Sequence, residues 1–228
     1  PDDNYFLKTI NKFAPYTMTV NRGLEPSYSL YKAVQYVVEN KIPGDFVECG
    51  VWRGGSVMLI ALALAHFGET NRKIFLYDTF TGMTKPDEND VDWNGLNLQK
   101  KWENDSLQSK NFQWGYGGTV DDVRKNIYLS NYPKDNFVFV EGPVEHTIPD
   151  TVPEKIALLR LDTDWYASTY HELIHLYPII STGGILIIDD YGWCRGARQA
   201  TDKYIKEHKL DLFLSRIDES VRLAVKRK

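Results

Sequence analysis

Cysteine is scarce in this chain of 228 residues. Cys49 and Cys194 are too few and too far apart to form a disulfide framework, and they read as free thiols of a protein in the reducing cytoplasm. Long apolar runs are missing too. None approaches the roughly 20 residues of a membrane-spanning helix, so the sequence offers no membrane partner. A basic surplus is also lacking: 27 Lys and Arg face 31 Asp and Glu, a formal charge of −4, which argues against nucleic acid. The opening Pro1-Asp2-Asp3-Asn4 has none of the basic and apolar character of a signal peptide. Neither the G-x-G-x-x-G turn of dinucleotide-binding proteins nor a G-K-[ST] phosphate loop occurs. No internal repeat or low-complexity linker divides the chain. With 43% hydrophobic residues it can build one core, so residues 1–228 read as a single domain.

What is present is organised around Gly44-Asp45-Phe46-Val47-Glu48-Cys49-Gly50-Val51-Trp52-Arg53-Gly54-Gly55-Ser56. Apolar residues lead into an acid, then a glycine-rich turn, then a small-residue apolar run over 57–67. That is a strand over 45–49, a tight turn and a buried helix over 56–67. The turn leaves backbone N–H groups free at a helix N-terminus. Its spacing, E-x-G-x-x-x-G, resembles motif I of S-adenosylmethionine (SAM) methyltransferases, with Glu48 near the cationic end of that cofactor.

Before this motif, residues 4–26 read as irregular with a short helix. Ser27 or Ser29 caps a helix running to about Asn40, completing an N-terminal helical segment over 1–42. After it, a second strand over 73–77 ends at Asp78. An acid at this distance past the glycine turn suits a ribose diol, since a carboxylate accepts from both hydroxyls. Residues 79–118 are rich in Asp, Asn, Lys, Gly and Trp and hold no sustained period, so they read as a lid or acceptor-binding insertion. Trp93, Trp102, Phe112, Trp114 and Tyr116 offer flat surface for a sugar or ring-bearing acceptor. Thr119 caps a helix over 120–129. Strands over 137–140, 156–161 and 185–188 then alternate with helices over about 168–177 and 197–208. A closing strand pair covers 212–215 and 221–226.

Alternating strands and helices give an α/β fold with a doubly wound, mostly parallel sheet. Right-handed crossovers bring the strand C-terminal ends to one edge, where ligands bind. Glu48, Asp78, the 141–146 turn, Asp162 and Asp189-Asp190 therefore share one rim. The acids after the strands at 156–161 and 185–188, Asp162-Thr163-Asp164 and Asp189-Asp190, come together on neighbouring strands. Two like unit charges about 4 Å apart repel by roughly 4 kcal/mol at an effective dielectric of about 20. Such a cluster calls for a cation, and oxygen-only ligands select a hard divalent ion: Mg²⁺ first, then Mn²⁺ or Ca²⁺.

His171-Glu172-Leu173-Ile174-His175 matches the zinc-protease pattern H-E-x-x-H. The helix that carries it already has a core face in Tyr170, Leu173, Ile174 and Tyr177, and Pro178 and Ser181 stand where the metzincin extension needs Gly and His. Zinc hydrolysis is set aside. His66 and His208 read as helix-surface residues, and His146 lies on the rim, within reach of cofactor or acceptor.

Six stretches together resemble the macrocin O-methyltransferase family: Tyr16-Thr17-Met18-Thr19; the motif from Pro43 to Gly55; Asp78-Thr79-Phe80-Thr81-Gly82; Val140-Glu141-Gly142-Pro143-Val144-Glu145; Leu159 to Thr169; and Gly183 to Tyr191. The resemblance implies a Rossmann-like SAM-dependent methyltransferase fold, seven-stranded with an antiparallel last strand. It implies that Glu48, Gly50, Ser56, Asp78 and Thr79 hold the methionine and ribose parts of SAM, that Val144 and Glu145 lie by the adenine, and that Thr17 and Met18 close over it. Asp162, Asp189 and Asp190 match the family's metal ligands, Asp162 is the first choice of catalytic base, and Asp164 is the second. Phe80-Thr81-Gly82 departs from the family's acid-bearing F-E-G, which bears on the lid. The implied function is metal-dependent O-methylation of a sugar or glycosylated natural product at one hydroxyl of a vicinal diol, by a cytoplasmic homo-oligomer. A catechol- or phenol-directed methyltransferase is the second reading, a SAM-binding module without catalysis the third, and a nicotinamide dehydrogenase the last.

Overall fold

The structure, a computed structural model, describes residues 3–108 and 117–227. Phe112, Trp114 and Tyr116 of the expected acceptor insertion lie outside the described residues. Seven strands form one sheet: β1 (Asp45–Cys49), β2 (Ile74–Asp78), β3 (Phe137–Glu141), β4 (Ile156–Leu161), β5 (Ile180–Ile188), β6 (Ser215–Arg216) and β7 (Arg222–Val225). Their order is β3-β2-β1-β4-β5-β7-β6. The first five are parallel, and β7 runs antiparallel between β5 and β6. The expected doubly wound sheet with an antiparallel closing strand is what forms. The order reverses between β1 and β4, so the ligand crevice opens there, above the two most deeply buried strands.

Period-2 alternation sorts the strands between two cores. Phe46, Ile74, Leu76, Leu158 and Ile187 face α1 (Asn4–Phe13), α2 (Glu25–Glu39) and α3 (Gly55–His66). Val47, Cys49, Leu159, Leu161 and Ile188 face α7 (Tyr166–Leu176) and α8 (Arg195–Glu207). The helix α3 is buried over nearly its whole length because sheet, α1, α2 and α5 (Val120–Ile127) surround it. That explains an apolar composition with no polar face. The helix α5 starts where the sequence places it: the Thr119 hydroxyl accepts from Asp122 N–H, and the Asp122 carboxylate accepts from Thr119 N–H, a complete capping box.

Several boundaries differ from the sequence reading. The helix α2 begins at Glu25, not at Ser27 or Ser29, because Pro26 fits its first turn with φ already set. Ser27 is buried, and the Ser29 hydroxyl turns back to Pro26 O at 2.8 Å. Residues 98–108 form a helix, α4 (Leu98–Gln108), inside the stretch that shows no period. Among its described side chains Leu98 is buried and Trp102 half-buried. The strand β5 reaches back to Ile180 through Gly183-Gly184, and the closing strands are shorter than 212–215 and 221–226. No described helix is long and apolar enough to cross a membrane, and both cysteines are buried and free.

One contact locks the two halves of the rim together. Asp162 N–H donates to Cys49 O at 2.8 Å, and Gly50 N–H to Tyr77 O at 2.9 Å. Gly50 sits at φ 83°, and a Cβ there would lie 1.9 Å from the Asp162 carbonyl oxygen. Gly50→Ala therefore meets both the left-handed backbone penalty and a clash with main chain. We expect a loss of about 1–3 kcal/mol or more in urea unfolding; an unchanged midpoint would mean that β1 and β4 separate here at little cost.

Candidate active site

The strand C-terminal ends open into a cavity of about 1670 Å³. The residues that the family resemblance assigns to cofactor, metal and base all line it: Thr17, Met18, Glu48, Gly50, Ser56, Asp78, Thr79, Val144, Glu145, Asp162, Asp164, Asp189 and Asp190; of the aromatic residues expected at the acceptor, Trp93 lines it and Trp102 does not. His146 does not; it is exposed on α6 (Val144–Thr147) and absent from the lining.

One half of the cavity is built on β1, β2 and the turn after β3. The Glu48 side chain is buried, and its Oε2 has no hydrogen-bond partner. Burial pushes its pKa up to about 7 against the pull of Arg160. A buried carboxylate oxygen left without a donor, at the edge of a cavity, calls for a partner that the protein itself does not supply. Asp78 is placed by the chain itself. Its Oδ2 accepts from Val51 N–H at 2.7 Å and Trp52 N–H at 3.0 Å, and its Oδ1 accepts from Phe80 N–H at 2.7 Å. The carboxylate thus holds the glycine turn and its own strand end at once, and each oxygen keeps lone-pair capacity toward the cavity. Glu145 is fixed by the Ser168 hydroxyl, which donates to it at 2.7 Å.

The other half is the acid cluster. Asp162, Asp189 and Asp190 each bring one oxygen to within 4.8 Å of the other two. Register explains the grouping. Arg160 of β4 lies beside Glu48 of β1 and Ile187 of β5, so the same sheet face carries Glu48, Arg160 and, one step on, Asp162 and Asp189. Arg160 is 2% exposed. It donates to Glu48 through a short bond, to Asp162 Oδ2 at 2.5 Å, to Asp189 Oδ1 at 2.6 Å and to Thr19 Oγ1 at 3.2 Å. A second cation, Arg22, donates to Asp189 Oδ2 at 2.6 Å and reaches Asp218 at 3.4 Å. The sequence reading gave neither arginine a role. Arg160 carried a signal, a lone charge inside an otherwise apolar strand that must find partners once buried. Arg22 carried none.

The two guanidinium groups divide the acids. Burial raises the Asp189 pKa, but Arg160 and Arg22 win and hold it below the ordinary carboxylate value. Asp190 is raised by burial and by Asp164 and Asp189 beside it, and its Oδ2 has no partner. Burial and Asp162 push Asp164 up to about 8. Asp162 is raised by burial despite Arg160, yet its side chain keeps 27% of its surface open to the cavity. The arginines offset part of the negative charge, and the acids remain in excess on the Asp190 side.

The cavity mouth is aromatic. An antiparallel bridge between Asp92 and Cys194 sets Trp93 and Trp193 opposite each other across the two segments. Trp93 is 57% and Trp193 42% exposed, and both line the cavity. Asp90 anchors this loop from beneath, accepting from Tyr166 N–H at 2.8 Å. Trp193 was not foreseen, because it stands two residues past the recognised Asp189-Asp190-Tyr191 with no pattern around it. The H-E-x-x-H pattern is not a metal site. His171 and His175 pack ring to ring at 4.5 Å, whereas Glu172 turns fully into the core and accepts from the Thr163 hydroxyl at 3.0 Å. Tyr170, Leu173, Ile174 and Tyr177 pack on the core as expected, and Glu172 joins them, so that face is not purely apolar.

Replacing Arg160 with Met leaves Glu48, Asp162 and Asp189 buried beside each other without their shared partner. We expect Arg160→Met to lose about 3–5 kcal/mol of unfolding free energy at neutral pH, read by urea denaturation. A loss under about 1 kcal/mol, the scale of an exposed ion pair, would show that the network is not a constraint on the fold.

A family model described as macrocin-O-methyltransferase matches residues 11–224. The demethyldecarbamoylnovobiocin O-methyltransferase of Streptomyces niveus is 31% identical over 182 residues, 80% of this chain and 66% of that protein. The 8-demethyl-8-(2,3-dimethoxy-alpha-L-rhamnosyl)-tetracenomycin-C 4'-O-methyltransferase of Streptomyces olivaceus is 32% identical over 198 residues, 86% of this chain and 71% of that protein. The chain thus spans about two thirds of the length of these relatives. Among solved structures, the O-methyltransferase NovP superposes with a TM-score of 0.82 at 24% identity, covering 98% of both chains. With a match over nearly its whole length, on a sheet that brings the six matching stretches to one cavity, the chain belongs to the macrocin-O-methyltransferase family and is a methyltransferase.

Proposed function

We propose that this protein transfers the methyl group of SAM to a hydroxyl of a sugar-containing small molecule, one of a vicinal diol, with a divalent cation at Asp162, Asp189 and Asp190. The observation that carries the reading is the meeting of two unfinished receptors in one cavity. Glu48 Oε2 lacks a donor at one end, and Asp190 Oδ2 lacks one beside two further acids at the other. The donor set is all oxygen, as a hard cation requires. The Streptomyces olivaceus relative is named for a rhamnosyl-bearing substrate, which supports a sugar-containing acceptor.

In this reading Glu48 receives the ammonium of the methionine part, Asp78 and Thr79 the ribose, and Val144 and Glu145 the adenine, with Gly50 and Ser56 lining the turn and Thr17 and Met18 closing above. Trp93, from the 79–118 insertion, and Trp193, from the segment after β5, hold the apolar face of the acceptor. A cation at the three acids lowers the pKa of an alcohol, which otherwise lies near that of water, about 15.7. The acceptor oxygen forms its bond to the methyl carbon as the carbon–sulfur bond breaks, and the hydroxyl proton passes to Asp162. Asp162 suits that role because one oxygen is held by Arg160 while the side chain still faces the cavity. Asp164 is the alternative base. Holding the acceptor in line with the methyl is worth up to roughly 7–11 kcal/mol, and charge neutralisation in the transition state favours a site closed to water.

The test is calorimetric titration with SAM, then a turnover screen of sugar diols and catechols with Mg²⁺ or EDTA. We expect SAM binding and EDTA-sensitive methylation of a diol-bearing sugar. Asp162→Asn is expected to leave SAM binding in place and lower turnover by about a hundred- to ten-thousand-fold. Turnover indifferent to EDTA removes the cation and keeps the cofactor half. Turnover of catechols alone transfers the reading to phenol methylation. Absence of SAM binding overturns it entirely.

A further inference from the structure

The segment over residues 14–22 lies across the cavity as a strap. Its near end is seated on the glycine turn. The Arg53 guanidinium stands 5.5 Å from the Tyr16 ring centroid and donates to Pro15 O at 3.4 Å. Gly55 is so close beneath that a Cβ would lie 2.6 Å from Tyr16 and 2.7 Å from Thr17. The middle of the strap presents Thr17 and Met18 to the cavity. Its far end is fixed by charge, through Thr19 to Arg160 and through Arg22 to Asp189 and Asp218.

Asp189 is therefore shared. Its Oδ1 is held by Arg160, which is locked in the sheet, and its Oδ2 by Arg22, which rides on the strap and is part-exposed in the cavity. Any ion drawn to Asp162, Asp189 and Asp190 approaches the Arg22 guanidinium, a charge of the same sign on the same carboxylate. Arg22 has a second partner outside the cluster, Asp218, onto which it can withdraw. Such a withdrawal moves the segment that carries Thr17 and Met18.

We propose that Arg22 is a positioning residue that couples the two ligand sites: the closed strap and a divalent ion compete for Asp189, so that cofactor and metal each weaken the other's binding. This rests on the cation and cofactor reading given above. By linkage the effect is reciprocal, so it is measurable from either ligand without turnover.

The experiment is titration with Mn²⁺, followed by electron paramagnetic resonance of the free ion, with and without saturating S-adenosylhomocysteine. In the unmodified protein, S-adenosylhomocysteine should weaken Mn²⁺ binding by about fivefold or more, the lower end of ordinary coupling between sites. Arg22→Met should bind Mn²⁺ more tightly than the unmodified protein and lose the dependence on S-adenosylhomocysteine. Arg22→Lys keeps the charge and should keep the dependence, which a merely structural role for the side chain would not predict. If circular dichroism shows Arg22→Met to be unfolded, Arg22→Gln, which keeps length and polarity, carries the same expectation. Mn²⁺ binding that is indifferent to S-adenosylhomocysteine in the unmodified protein, or a dependence that survives in Arg22→Met, overturns this proposal alone. Absence of Mn²⁺ binding, or of S-adenosylhomocysteine binding, overturns it together with the reading it rests on.

Discussion

A buried guanidinium with three carboxylates around it sets the geometry of this site. Arg160 stands on β4, the middle strand of the seven-stranded sheet, and touches acids from β1, from its own strand end and from the end of β5. A buried charge without partners is costly, and a buried pair adds little net stability over well-packed apolar side chains. What the arrangement supplies is position. A planar fork with five donors serves several carboxylates from one carbon atom, which a lysine ammonium on a flexible stem does not match. Any shift in register between β1, β4 and β5 would break these bonds, so the three strand ends are held where they meet.

The same network makes the acids unequal. Charge repulsion among strand-end carboxylates, taken alone, calls for a metal ion. The structure answers part of that repulsion with arginine. Asp189 is compensated on both oxygens and remains ionised, whereas Asp190 and Asp164 are raised by burial and by their acidic neighbours. The arginine contacts are therefore one-sided: they reach Asp162 and Asp189, whereas Asp190 Oδ2 has no partner. The aromatic mouth follows closely in the chain, at Trp193, three residues beyond Asp190.

The fold was legible because parallel strands buried on both faces write themselves as apolar runs with acids at their ends. Asp78, Asp162 and Asp189-Asp190 mark those ends, and right-handed crossovers bring the ends to one edge, so the rim is readable in the sequence. The helix over 98–108 was not legible, because it lies in a polar stretch where few positions are buried and hydrophobic periodicity is the signal that burial leaves behind. Pro26 shifted the start of α2 ahead of the serines that resemble caps. Arg22 and Trp193 escaped for a different reason: both act through tertiary neighbours a hundred or more residues away in sequence, and neither has a local pattern. The glycine turn lines the cavity, as a ligand turn must, but the role of Asp78 in bracing it depends on β1 and β2 lying side by side, which spacing alone does not state.

Glu48 and Asp189 belong to different halves of the cavity, yet one guanidinium bridges them. Glu48 is raised toward neutrality by burial, and Asp189 is among the charges that raise it further. A cationic group seated at Glu48 Oε2 would favour its ionised form and strengthen its hold on Arg160. The two halves are thus linked along the sheet by an element that does not move, and across the cavity by a strap whose far end rests on the same carboxylate. A side chain placed on β4 for reasons of register alone consequently gives the site its orientation, its uneven charge and a path by which one ligand is felt at the position of the other.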